Sequence, residues 1–139
     1  MLAASVIIIN GCSKGADPNV SSPVPNESVN VSFNVNTQGY TSLQTTGGAT
    51  YLANVGYRGI LVYRLNTTTI VAFDRTCTYD ISDVNGIVTA QNNVTAICLD
   101  CGSTYSLING SVNTGPTTIG LKEYTVNFTQ ATGAVTITN

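Results

Sequence analysis

CLDCGSTYSLINGSVNTGP, Cys98 to Pro116, sets two thiols three positions apart ahead of a Gly-Ser pair, an aromatic, an Asn-Gly turn and a Gly-Pro. Thiols at that spacing serve three chemistries: they ligate a metal or cluster, exchange electrons as a dithiol, or close a loop. Nothing inside the segment selects among them. A third thiol, Cys77, lies 21 residues upstream of Cys98 at the centre of AFDRTCTYDISD, Ala72 to Asp83.

The sequence around these two segments is strand-like. Val29, Val31, Phe33 and Val35 alternate with polar Asn30, Ser32 and Asn34, the period of a strand with one face buried. Leu61, Val62, Tyr63 and Leu65 run through Asn66-Thr67-Thr68-Thr69 into Ile70, Val71, Ala72 and Phe73, which reads as a hairpin. Val94 to Leu99 and Thr104 to Ile108 are two further short strands, the second ended by the turn signal Asn109-Gly110. The final stretch, YTVNFTQATGAVTITN, is two alternating runs around a loop containing Gly133. Helical periodicity is lacking throughout, so the chain is predicted to be all-β, with its chemistry in the connecting loops.

Composition narrows the chemistry. The 139 residues, 14.5 kDa, make one domain, and only 9% are charged, for a net charge of -2. The five basic residues, Lys14, Arg58, Arg64, Arg75 and Lys122, are scattered singly, so no basic patch is available to meet nucleic acid. There is no histidine, which excludes a Ser-His-Asp triad, a Cys-His pair and an H-E-x-x-H zinc site. Asp74, Asp80, Asp83 and Asp100 lack the spacing of a calcium loop and read as solvated carboxylates. Independent catalytic activity is not expected, since no nucleophile or base pair can be assembled.

At the N-terminus, Leu2 to Ile9 are apolar except for Ser5, too short a run to span a bilayer. It leads into Ile9-Asn10-Gly11-Cys12, which resembles the lipobox of bacterial lipoproteins. That resemblance implies an export signal over residues 1–11 and a lipidated Cys12, anchored to membrane lipid by its acyl chains. Ser13 to Glu27 holds three prolines and no apolar period, so 12–27 reads as the lipidated cysteine with a flexible tether and 28–139 as the folded domain. The expected location is the bacterial cell envelope, on its periplasmic or cell-surface side.

From about Gly47 to Ile137 the chain resembles the Rieske iron-sulfur domain family. In that family a C-x-H loop and a C-x-x-H loop clamp a two-iron cluster, the second loop running on through Gly-Ser, an aromatic, a Gly turn and Gly-Pro. The first ligand pair falls on Cys77 and Tyr79, and the second on Cys98 and Cys101. Gly102-Ser103, Tyr105, Gly110 and Gly115-Pro116 match the features that follow, and Leu121 and Tyr124 match the strand leaving the site. The resemblance implies a Rieske-like antiparallel β domain, a β-sandwich with two facing cysteine-containing loops. Its ligands would be Cys77, Cys98 and Cys101, with Tyr79 as a fourth candidate and Ser103 as the serine that hydrogen-bonds a bridging sulfide or caps the turn.

The two histidine positions are Tyr79 and Cys101, and the auxiliary cysteines of some members are Ser82 and Asp100. A standard Rieske centre, whose potential is set by two imidazoles on one iron, is therefore not expected. Either no cofactor or a non-standard [2Fe-2S] cluster is, with zinc the lesser alternative. Three functions follow: a metal-binding or electron-transfer module meeting a protein partner at the envelope; a cluster-less accessory lipoprotein stapled by a Cys77–Cys98 or Cys77–Cys101 disulfide; and a dithiol redox protein using Cys98 and Cys101.

Overall fold

The computed structural model describes residues 22–139. Its order is β1 (Asn30–Asn34), a 3-10 turn at Thr41–Gln44, β2 (Ala49–Leu52), β3 (Ile60–Arg64), β4 (Ile70–Asp74), β5 (Val88–Gln91), β6 (Thr95–Cys98), β7 (Thr104–Ser106), β8 (Val112–Thr114), β9 (Glu123–Thr129) and β10 (Ala134–Thr138). One sheet has the order β1-β10-β9-β4-β3-β2 and the other β5-β6-β7-β8, with every named pairing antiparallel. The hairpins read from the sequence form as β3–β4 and β9–β10.

Strands β3 and β4 are buried along their whole length, which explains why they read as continuous apolar runs. Successive side chains point to opposite faces. Ile60, Val62, Ile70 and Ala72 pack on one side with Leu43, Leu52, Tyr124, Val135 and Ile137. Leu61, Tyr63, Val71 and Phe73 pack on the other with Val88, Ala96, Cys98, Tyr105 and Leu107. The second core joins the small sheet to the large one and contains the buried Cys77 and Cys98, so the site is built against a closed apolar core. Gly110, at φ +75°, ends β7's turn against Phe73; a Cβ there would lie 2.9 Å from the Phe73 ring, so the Asn-Gly turn is required by packing as well as by backbone.

Two charged side chains are enclosed in this frame. Arg64 is buried, donating to the carbonyls of Leu43, Asn66 and Thr67 and lying over the Phe128 ring. Asp74, expected to be solvated, is instead fully buried. Its carboxylate accepts from the backbone N–H of Tyr57 and of Thr76, the Thr76 hydroxyl and the Tyr124 hydroxyl. Those donors replace its water, and they come from positions up to 50 residues away.

Ordered packing begins ahead of β1. Val24 is buried, and Lys122 Nζ donates to the Pro25 carbonyl at 2.9 Å and to Asn26 Oδ1 at 3.0 Å. The sequence assigns 24–27 to the tether; here they lie against the domain. Cys12 and the apolar run Leu2 to Ile9 fall outside the described residues.

Candidate metal centre

Cys77 sits in the loop between β4 and β5. Asp74 fixes the start of this loop through Thr76, which also bridges to Ile87. The Cys77 N–H donates to the Gly86 carbonyl at 2.8 Å, closing the loop at its neck. Arg58 holds its outer part by donating to the carbonyls of Ile81 and Asp83. A loop with so many fixed backbone groups presents its cysteine in one direction.

Cys98 is the last residue of β6, and Cys101 lies in the turn that leads to β7. The Cys98 N–H donates to the Ser103 carbonyl at 2.8 Å and the Gly102 N–H returns to the Cys98 carbonyl at 2.9 Å. The turn needs φ +79° at Gly102, which glycine adopts without strain. Both thiols therefore project from one tight turn. No helix begins at this pair, so the thiolate stabilisation of a helix N-terminus does not operate.

The two loops meet. The sulfurs of Cys77, Cys98 and Cys101 all lie within 4.8 Å of one another, and Cys77 Sγ is 3.5 Å from Cys101 Sγ. All three are free thiols. Three sulfurs so gathered can chelate a metal ion.

Beneath them runs a closed circuit of hydrogen bonds. The Tyr105 hydroxyl lies 3.4 Å from Cys77 Sγ and 3.2 Å from Thr78 Oγ1. Thr78 Oγ1 is 2.8 Å from Thr117 Oγ1, and the Thr117 N–H donates to Ser103 Oγ at 3.1 Å. Ser103 Oγ in turn accepts from Cys101 Sγ at 3.1 Å. Tyr105, Thr78, Thr117 and Ser103 are all buried, and among the described residues no buried side-chain nitrogen or oxygen is left without a partner. The network locks the sulfurs to one another through both loops and through the segment after the cis Gly115–Pro116 peptide.

The thiols are electrostatically unequal. Burial pushes Cys98 up to about 12, helped by the Cys77 and Cys101 thiols and opposed by the backbone N–H groups of Cys101 and Asp100. Burial also acts to raise Cys101, but the Ser103 hydroxyl and N–H, with the other two thiols, outweigh it and hold Cys101 below the ordinary thiol value. Burial and the hydrogen bond to Cys77 raise the Tyr105 phenol, so it stays a donor. On the outer rim, the hydrogen bond to Asp83 raises Asp100, reinforced by the charges of Asp83 and Asp80.

Of the residues singled out in the sequence, Cys77, Cys98, Cys101 and Ser103 come together. Tyr79 is 57% exposed, and the hydroxyl that reaches a sulfur belongs to Tyr105. Tyr105 was legible as the aromatic after Gly-Ser, though not as a thiol partner. Thr78 and Thr117 carried no signal of their own.

The donor set does not fit a standard Rieske centre. Two imidazoles are lacking, and Cys101 turns its sulfur toward Cys77.

No family model matches the sequence, and no curated protein matches it. Solved structures share its fold. One is a chain from a complex of reduced oxygenase and oxidized ferredoxin in carbazole 1,9a-dioxygenase, 22% identical with a TM-score of 0.52 over 67% of this chain and 90% of that one. Another, from a complex of a glutamine-to-asparagine oxygenase variant with ferredoxin of carbazole 1,9a-dioxygenase, is 22% identical with a TM-score of 0.52 over 83% of this chain and 29% of that one. The likeness is one of fold: an all-β, antiparallel, Rieske-like domain with two cysteine-bearing loops.

Proposed function

We propose that the protein is a metal-binding redox module of the bacterial cell envelope, in which Cys77, Cys98 and Cys101 hold a thiolate-ligated centre that passes electrons to a protein partner. The carrying observation is the convergence of the three sulfurs within 4.8 Å at the meeting of two loops. Isolated structural cysteines do not need such a gathering, and the buried hydrogen-bond circuit below it keeps the sulfurs aimed. Tyr79, Val84 and Leu99 are 57%, 75% and 72% exposed on the same two loops. Exposed apolar side chains beside the centre support a protein partner there. The structures of like fold come from complexes of an oxygenase with its ferredoxin, which supports a redox partner in kind. Attachment rests on Cys12: the apolar run before it and Ile9-Asn10-Gly11-Cys12 support lipidation.

Anaerobic purification followed by iron, zinc and sulfide assays and a thiol count tests this. Bound metal with all three thiols protected until a chelator is added supports the proposal. Zinc alone removes the electron-transfer part, and metal-free protein with three reactive thiols removes the whole.

A second reading is favoured by the 3.5 Å between Cys77 Sγ and Cys101 Sγ. Oxidation would join them into a staple around a loop of about 25 residues, for which chain entropy gives about 3 to 4 kcal/mol. Colourless aerobic protein with one free thiol in the domain selects this reading.

A further inference from the structure

We infer that the three thiols enclose a single thiolate-preferring divalent ion in a tetrahedral site, with the fourth position open to a small ligand from solvent, and not a two-iron cluster. This rests on the reading of the cysteines as metal ligands and fixes how many ions they hold.

The second loop supplies the first argument. Cys98 and Cys101 leave one turn closed by the Gly102 N–H to Cys98 carbonyl bond, and C-x-x-C is the spacing of a chelate pair on one ion. A two-iron cluster instead needs four protein ligands in two pairs, spread along the iron–iron direction. Here the second loop's two ligands would have to divide between the irons. The sulfurs are not divided: Cys101 Sγ is 3.5 Å from Cys77 Sγ and all three lie within 4.8 Å. Bonds of about 2.3 Å to sulfur give a tetrahedron with edges of about 3.8 Å. Small side-chain adjustments bring all three sulfurs onto such a tetrahedron.

A second iron would also want two ligands of its own. Tyr79, two residues after Cys77 on the first loop, is 57% exposed, and the chain contains no histidine.

The open position follows from where the protein already stands. Tyr105 and Ser103, both fully buried, approach the sulfurs from the interior. Cys101 is the partly exposed thiol, and the space beside Gly102 is empty enough that a Cβ there would meet nothing within 4 Å. The vertex left over faces that side. An all-sulfur donor set selects zinc or ferrous iron over magnesium or calcium.

Reduced, metal-free protein titrated anaerobically with Co2+ tests this. We expect thiolate-to-cobalt charge-transfer absorption and tetrahedral ligand-field bands that rise together and stop at one equivalent. One equivalent of Zn2+ should bleach them. Azide or imidazole should shift the ligand-field bands while the charge-transfer absorption persists, because the added ligand takes the fourth vertex. Cys101→Ser should lower the charge-transfer intensity by about one third. A break at two equivalents overturns the single-ion site, as does reconstitution with iron and sulfide that yields two irons and two sulfides per chain. Either of those leaves thiolate binding standing. No charge-transfer absorption at any Co2+ ratio overturns the ligand reading itself, and bands indifferent to azide and imidazole overturn the open vertex.

Discussion

The Tyr105 hydroxyl lies 3.4 Å from the sulfur of Cys77, which precedes it by 28 residues, and 3.2 Å from the hydroxyl of Thr78. One buried phenol thus joins a cysteine of the first loop to the strand that follows the second. If Cys77 ligates a metal as proposed, a hydrogen bond to its sulfur also draws charge from it, and the phenol would then bear on both folding and metal affinity.

Replacing Tyr105 with Phe removes that bond while keeping the ring. Thr78 Oγ1 retains Thr117 and the Ile119 carbonyl as partners, but the buried Thr78 N–H loses the phenol oxygen as its acceptor, so the stability loss should be about 1 to 3 kcal/mol by urea unfolding of the metal-free protein. Metal affinity should fall by about 10- to 100-fold in chelator competition, and Ser103→Ala should act similarly through Cys101. Unchanged affinity in both variants would leave the circuit a purely structural device.

Asp74 is the stronger structural element. Asp74→Ala strands the hydroxyls of Tyr124 and Thr76 and the N–H groups of Tyr57 and Thr76, at about 1–3 kcal/mol for each buried donor left unsatisfied. A total loss of at least about 3 kcal/mol is expected. Tyr124→Phe, which removes one donor, should cost about 1.5 to 3 kcal/mol. Equal losses in the two variants would mean that the other donors contribute nothing.

The thiols set an alkaline limit on the metal-free protein. Burial, with the neighbouring thiols, raises Cys98 from 9.0 to about 12, so the folded chain holds this proton more tightly than the unfolded one. Its stabilisation is complete below pH 9 and is lost as the pH climbs toward 12. Cys101 runs the other way: held below the ordinary value, its contribution is present above that value and is lost as the pH falls through its folded pKa. Urea midpoints across this range should decline more steeply in the parent protein than in Cys98→Ala. Alkylation near neutral pH should reach Cys101 first and Cys98 last, and the reverse order would contradict this electrostatic picture.

Membrane attachment is tested by mass. If residues 1–11 are an export signal as proposed, protein expressed with them should lose them and gain acyl mass on Cys12, and Cys12→Ala should leave it unattached. An unmodified Cys12 would remove the anchor.

Much of the frame was written in local sequence. The apolar alternation of β9 and β10, the continuous runs of β3 and β4 and the Asn109-Gly110 turn each report on neighbours a few residues away, and each formed as read. Strands β2, β5 and β8 carry no comparable apolar pattern, and they exist because β3, β6 and β7 offer them edges to pair with. The meeting of the cysteine loops was legible only through the order of residues after Cys98. In sequence Tyr79 stands at a ligand position and Tyr105 only as the aromatic after Gly-Ser, and the fold exposes the first while burying the second. Asp74 looked like a surface charge because two of its donors lie 17 and 50 residues away. Val24 looked like tether for the same reason, its neighbours being held by Lys122 and Asn139.

X-ray absorption at the metal edge of the anaerobically isolated protein addresses the thiolate centre most directly. The expected result is a first shell of three sulfurs at about 2.3 Å with one lighter atom and no metal neighbour. A shell of nitrogen and oxygen alone, unaltered in Cys77→Ser, would contradict it.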